Sequence, residues 1–187
     1  MKCYERTIGC GLISNEHLNK DVTLVGWVNR RRDHGNVIFI DLRDRSGIVQ
    51  VVFSPEISLD AHKVAHDLRS EFVISISGIV VLREPGTINN ELATGKFEIK
   101  VDKITILNKS KILPFQLNEA DAVDEELRLK YRYLDLRRPS MLEKLAIRHK
   151  FIFAIREFMD SEGFYEVETP ILTKNTAEGA REFLVPS

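Results

Sequence analysis

Cysteine is scarce: Cys3 and Cys10 are the two in 187 residues. Two thiols near one end build neither a disulfide framework nor a four-ligand zinc site, and they fit a reducing, cytoplasmic setting. An excess of charge is also missing. The 27 Lys and Arg nearly cancel the 28 Asp and Glu, for a net charge of -1. Bulk charge therefore does not mark a nucleic-acid binder, and any pull on a polyanion has to come from local clustering. No apolar run approaches the roughly 18 residues of a membrane span, and the N-terminus lacks the hydrophobic stretch of a signal peptide. Repeats and low-complexity tracts are absent. What remains is 43% hydrophobic, enough for a core in one or two domains.

The first hundred or so residues are rich in β-branched runs. Period-two or continuous apolar patterns cover Val22 to Arg30, Val37 to Arg43, Ile48 to Phe53, Phe72 to Leu82 and Phe97 to Leu107. Between the third and fourth lies SLDAHKVAHDLRS. Ser58 can cap a short helix there, striped by Leu59, Val64, Ala65 and Leu68. Five strands with one helix between strands 3 and 4 is the element order of an OB-fold barrel. His62 and His66 have metal-ligand spacing on that helix but no third ligand nearby, and read as a solvated face. After Leu107 the pattern fades into a hinge, 109–139, with an acidic stretch and an Arg- and Tyr-rich run. Ser140 and Glu143 form a capping box for a long helix. Leu145, Ile152, Ile155, Phe158 and Met159 continue its stripe, and Gly163 stands where a left-handed C-cap ends it. A short strand, a proline turn and a Gly-containing loop follow.

Alternation assigns faces in the barrel. Ile38, Ile40 and Leu42 share one face of the second strand, which leaves Val37, Phe39, Asp41 and Arg43 on the other. Val49, Val51 and Phe53 point inward and place Gln50 outward; Phe97, Ile99 and Val101 do the same for Glu98 and Lys100. Arg30 and Arg32 share a face at the end of the first strand. An aromatic plate, guanidinium groups, an amide and a carboxylate are what single-stranded nucleic acid needs: stacking, phosphate contacts and hydrogen-bonding edges. The residues alone leave open a plainer alternative, a partly covered phenylalanine beside a solvated salt-bridge cluster.

Three segments, GWVNRRRDHGNVIFIDLRDRSGIVQVVF, EELRLKYRYLDLRRP and GFYEVETPILTKNTAEGAREFLVPS, together resemble bacterial-type aspartyl-tRNA synthetases, in order and over essentially the whole chain. The resemblance implies an OB-fold anticodon-binding domain at 1–108, a hinge at 109–139, and the first helix and strand of an α+β class II catalytic domain at 140–187. It implies that Phe39 stacks on an anticodon base, with Arg30, Arg32, Gln50 and Glu98 as its base- and phosphate-contacting neighbours. GFYEVETP is similar to motif 1 of class II synthetases, which places Gly163 and Pro170 at a homodimer interface. TAEGARE is similar to the loop that closes over the amino acid, with Glu178 against the ammonium group of aspartate. His34 and Gly86 are similar to the residues of enzymes that charge both tRNA(Asp) and tRNA(Asn).

The implied partners are these tRNAs, L-aspartate and ATP, with Mg²⁺ as cofactor in the intact enzyme. The second and third class II motifs do not occur before Ser187. The resemblance therefore implies an N-terminal fragment that is inactive alone, binds no cofactor, and packs poorly beyond about residue 110 unless it dimerises. A stand-alone OB-fold binder of single-stranded nucleic acid is the alternative, and a protein-docking module a third class. The motif 1 segment has no use in a pure binder.

Overall fold

A computed structural model of the chain describes residues 5–117 and 122–172. The chain divides into two compact units, Met1–Leu113 and Pro114–Ser187. In the first, β1 (Asp21–His34), β2 (Val37–Asp44), β3 (Gly47–Phe53), β4 (Val73–Leu82) and β5 (Phe97–Asn108) close a barrel in the order β1-β2-β3-β5-β4. All pairings are antiparallel except β3 with β5, which run parallel over three residue pairs, Gln50–Glu98, Val51–Ile99 and Val52–Lys100. The β1–β2 hairpin turns on Gly35 at φ +59°, a left-handed conformation that glycine adopts at little cost. Leu24, Val28, Ile40, Leu42, Val49, Val51, Phe53, Ile74 and Ile99 fill the interior and are fully buried. The inward faces read from alternation are the observed ones.

Helix α1 (Leu59–Ala65) joins β3 to β4, and the Ser58 hydroxyl accepts the Ala61 N–H at 3.3 Å, as its sequence predicts. Its buried face differs from the predicted stripe: Ala61, His62, Ala65 and Leu68 are covered while Leu59 is exposed. His62 is thus not on a solvated face. It is buried, packs edge-on against His66 at 4.7 Å, and its Nε2 has no hydrogen-bond partner. The stripe goes wrong because α1 is too short for one residue to fix its rotation against the barrel. Cys10 is also fully buried, its backbone N–H donating to Asp44 at 2.9 Å. Cys3 lies outside the described residues.

In the second unit the hinge segment is partly helical, with α2 (Glu125–Lys130) and α3 (Arg132–Asp135). Asp124 caps α2 by accepting the Glu126 N–H at 2.8 Å. Asp135 is buried between Arg132 and Arg138, both at 2.8 Å. The long helix α4 (Pro139–Ser161) starts earlier than the capping box predicts, with Arg138 at the N-cap and Pro139 in the first turn, so Ser140 lies inside the helix. Proline's fixed φ and missing N–H suit that first position. Its end is as predicted: Gly163 takes φ +83°, with Gly163 N–H bonded to Asp160 O and Phe164 N–H to Met159 O. Ile147, Phe151 and Phe153 are exposed along with the predicted stripe. At 100° per residue the apolar positions spread over roughly 240° of the helix, far more than a single stripe. The predicted strand after it is not formed. Residues 164–170 carry no regular structure, because among the described residues no partner strand lies beside them.

Candidate nucleic-acid interface

The register of the barrel lays the predicted residues out in two rows on the outer sheet. One row is Arg30, Asp41, Gln50 and Glu98; the other is Arg32, Phe39, Val52 and Lys100. Arginines 30 and 32 reach this face through an irregularity that alternation does not reveal. Val22, Leu24 and Val28 point inward, and continued alternation would carry residues 30 and 32 into the core. Instead Val28 pairs with Leu42 and Arg30 with Asp41, so Asn29 is an extra residue, a β-bulge. The middle arginine of the triplet does other work. Arg31 grips the Asp33 carboxylate at 2.9 and 2.7 Å and donates to the His66 carbonyl at 2.7 Å, tying the end of β1 to the end of α1.

Side-chain bonds then run across the rows. Arg32 Nη2 donates to Asp41 at 2.6 Å and to Gln50 Oε1 at 3.3 Å, and Gln50 Nε2 donates to Glu98 at 2.9 Å. These bonds turn the Gln50 carbonyl toward Arg32 and its NH₂ toward Glu98. Gln50 lies on the outer face as predicted, yet it is only 4% exposed because its neighbours cover it. Burial raises the Glu98 carboxyl above its ordinary pKa, opposed by the Gln50 bond and by the charges of Arg83 and Lys100.

Half-buried Phe39 sits in a groove of about 600 Å³ with Arg32, His34, Gln50, Glu98 and Arg83 among its walls. Arg30 and Gly86 do not line it. Gly86 stands in the 3-10 turn Pro85–Thr87, flanked by the lining residues Glu84 and Thr87, and a Cβ built on it would meet nothing within 4 Å. Sequence reasoning missed Arg83. Its Nε is buried without a hydrogen-bond partner, and its position at a strand end beside a Pro-Gly turn was the available signal.

In the second unit, a groove of about 660 Å³ runs between the end of α4 and residues 164–166, walled by Ile152, Ile155, Met159 and Phe164, with Arg156 and Glu166 paired at 2.8 Å. Gly163 caps this corner, and Pro170 is exposed. Glu178 and the TAEGARE loop lie outside the described residues. No group of three or more His, Cys, Asp or Glu that could hold a metal ion occurs among the described residues.

A closed five-stranded barrel with a helix between its third and fourth strands is an OB-fold. Residues 22–107 match the family model of the OB-fold nucleic acid binding domain, and residues 124–187 match that of class II tRNA synthetases (D, K and N). Together the two matches take in the barrel and the helical unit, and the curated relatives that resemble this chain over nearly all its length are aspartate–tRNA ligases. The aspartate–tRNA(Asp/Asn) ligase of Geobacillus sp. (strain WCH70) is 58% identical over 98% of this chain and 31% of that protein. The aspartate–tRNA ligase of Staphylococcus haemolyticus is 53% identical over the same shares. The crystal structure of asparaginyl-tRNA synthetase from Pyrococcus horikoshii with asparaginyl-adenylate superposes with a TM-score of 0.80 at 28% identity, covering 94% of this chain and 38% of that one. The chain spans about a third of the length of the curated relatives it matches.

Proposed function

We propose that this chain is the anticodon-recognising part of an aspartate–tRNA ligase, which as a whole activates L-aspartate with ATP and passes it to tRNA(Asp). The observation that carries this is the placement of Phe39 beside Arg32, Gln50 and Glu98 in one groove on the outer sheet. An unpaired anticodon base stacks on the Phe39 ring. Arg30 and Arg32 hold phosphates, and Gln50 and Glu98 offer a donor and an acceptor to base edges. The Arg32–Gln50–Glu98 bonds support this reading because they orient the amide before RNA arrives.

Acceptance of tRNA(Asn) as well belongs to the same proposal. His34 lines the groove, and Gly86 stands in the turn between its lining residues Glu84 and Thr87, where the absent side chain puts no bulk near the base that distinguishes the two tRNAs. Two relatives named aspartate–tRNA(Asp/Asn) ligase are 58% identical to this chain, and several named simply aspartate–tRNA ligase are 51–53% identical.

The wide apolar surface of α4, with Gly163 and Pro170 at its end, is the homodimer interface in this reading, and Glu178 is the contact to the aspartate ammonium. ATP would donate an adenylyl group to the aspartate carboxylate with pyrophosphate leaving, and Mg²⁺ would neutralise the phosphate charge, but the described residues form no site for the metal. A cytoplasmic location completes the reading; among the described residues no helix is long and apolar enough to cross a membrane. The test is a titration of the anticodon stem-loops of tRNA(Asp) and tRNA(Asn) with wild type and Phe39→Ala. Loss of stacking costs about 1–3 kcal/mol, roughly 5- to 150-fold in Kd. Unchanged affinity in the variant removes Phe39 from the site, and wild-type rejection of the tRNA(Asn) loop removes the double specificity.

A further inference from the structure

Four residues outside the groove converge on the bulge that turns the arginines outward. Asn29, the extra residue itself, accepts a hydrogen bond through Oδ1 from Arg43 Nη1 at 2.6 Å. Arg43 Nη2 donates to both carboxylate oxygens of Glu71, at 2.7 and 2.9 Å. The guanidinium carbon of Arg43 lies 5.9 Å from the ring centre of Trp27, its cross-strand partner. Glu71 in turn holds the backbone just ahead of the bulge: its N–H donates to Val28 O at 2.7 Å, and Val28 N–H donates to Phe72 O at 2.9 Å. Arg43 and Glu71 are both buried, so separating them would leave each charge poorly solvated.

We infer that Asn29, Arg43 and Glu71 form a lock that sets the side of the sheet on which Arg30 and Arg32 stand, making them positioning residues for nucleic-acid binding although none of them lines the groove. The inference rests on the proposed reading of the groove as an RNA site. The chain reaches Arg30 one residue after Asn29, and side chains of a strand change face with every residue. Holding Asn29 out of the ladder fixes which of the following residues face the groove. Without that hold the end of β1 can slip by one residue, which exchanges Arg31 for the Arg30–Arg32 pair on the outer face.

The experiment measures anticodon stem-loop affinity by fluorescence anisotropy, on the full 187-residue chain, for Asn29→Ala, Asn29→Asp and Arg32→Ala and for the Asn29→Ala/Arg32→Ala pair. Amide exchange across Arg30 to His34 is read in the same proteins without RNA. Asn29→Ala is expected to weaken binding about tenfold and to speed exchange in that stretch while β4 stays protected. Asn29→Asp keeps the acceptor for Arg43 and is expected to bind as wild type does. In the Arg32→Ala background, Asn29→Ala is expected to cost less than it does in wild type, since part of its effect passes through that side chain and the rest through Arg30. Where Asn29→Ala does not fold, Arg43→Lys, which keeps the charge but cannot bridge Asn29 and Glu71, takes its place.

The lock is overturned if wild type binds RNA and Phe39→Ala weakens it while Asn29→Ala changes neither affinity nor exchange, or if the Asn29 and Arg32 losses add in full. If wild type itself does not bind the stem-loop, the RNA reading falls and this inference with it.

Discussion

The Glu71–Arg43 pair makes a quantitative prediction because Glu71 combines two separable costs. Its side chain is 3% exposed, that of Arg43 10%, and the carboxylate takes two bonds from one guanidinium nitrogen. Removing one partner of a buried pair leaves the other charge desolvated, at a cost of about 3–5 kcal/mol. Arg43 would keep Asn29 and the face of Trp27, which places Glu71→Ala at the lower end, about 3 kcal/mol. Glu71 also sits at φ +63°, where a side chain is strained and glycine is not. Glu71→Gly loses the same ion pair but is expected to recover about 1 kcal/mol relative to Glu71→Ala. Trp27 is the single tryptophan and lies in the barrel, so its fluorescence reports urea unfolding of that unit. With a slope of about 1–3 kcal/mol per molar, Glu71→Ala should lower the midpoint by roughly 1–3 M. A midpoint unchanged for Glu71→Ala refutes the buried-pair argument. Equal midpoints for the Ala and Gly variants refute the backbone argument while leaving the pair intact.

Glu98 should make the barrel's stability depend on pH with a definite sign. Its pKa is raised in the folded state, chiefly by burial, so its contribution is fully present below the unfolded value of about 4.3 and is lost as pH rises through the folded value. The stability of Glu98→Gln relative to wild type should therefore grow as pH rises through that window in urea titrations, and a constant or shrinking difference contradicts it. For Cys10, burial pushes the thiol pKa far up, with the Asp44 charge adding to it. In a Cys3→Ser chain, a maleimide at about pH 8 should leave Cys10 untouched when folded and label it in urea. Rapid labelling of the folded chain rules this out.

The barrel was legible in the sequence because its strands bury one face and leave the other in solvent, a condition that writes itself as alternation. Ile38, Ile40 and Leu42 against Phe39 and Asp41 is the clearest instance, and Gly163 was equally plain because a left-handed residue at a helix end selects glycine. The bulge at Asn29 was not legible, since one residue inserted into a ladder alters register without altering composition. Nor was Arg43: by alternation it belongs on the outer face, but its burial depends on Glu71 and Trp27, distant in sequence or set by pairing. His62 was misread because helix rotation is a tertiary property. The start of α4 was misread because a serine and a glutamate can satisfy a capping pattern directly after a proline that suits the first position better.

The parallel seam between β3 and β5 has a consequence of its own. Three residue pairs join these strands, against ten between β4 and β5, so this is where the barrel should breathe first. The groove straddles the seam, with Phe39 and Gln50 on one side and Arg83 and Glu98 on the other. Whatever settles there acts as a staple across the joint, and the free energy that keeps the joint shut is shared with the affinity for the staple. Loosening the seam would then register as weaker recognition, even with every contacting side chain left in place.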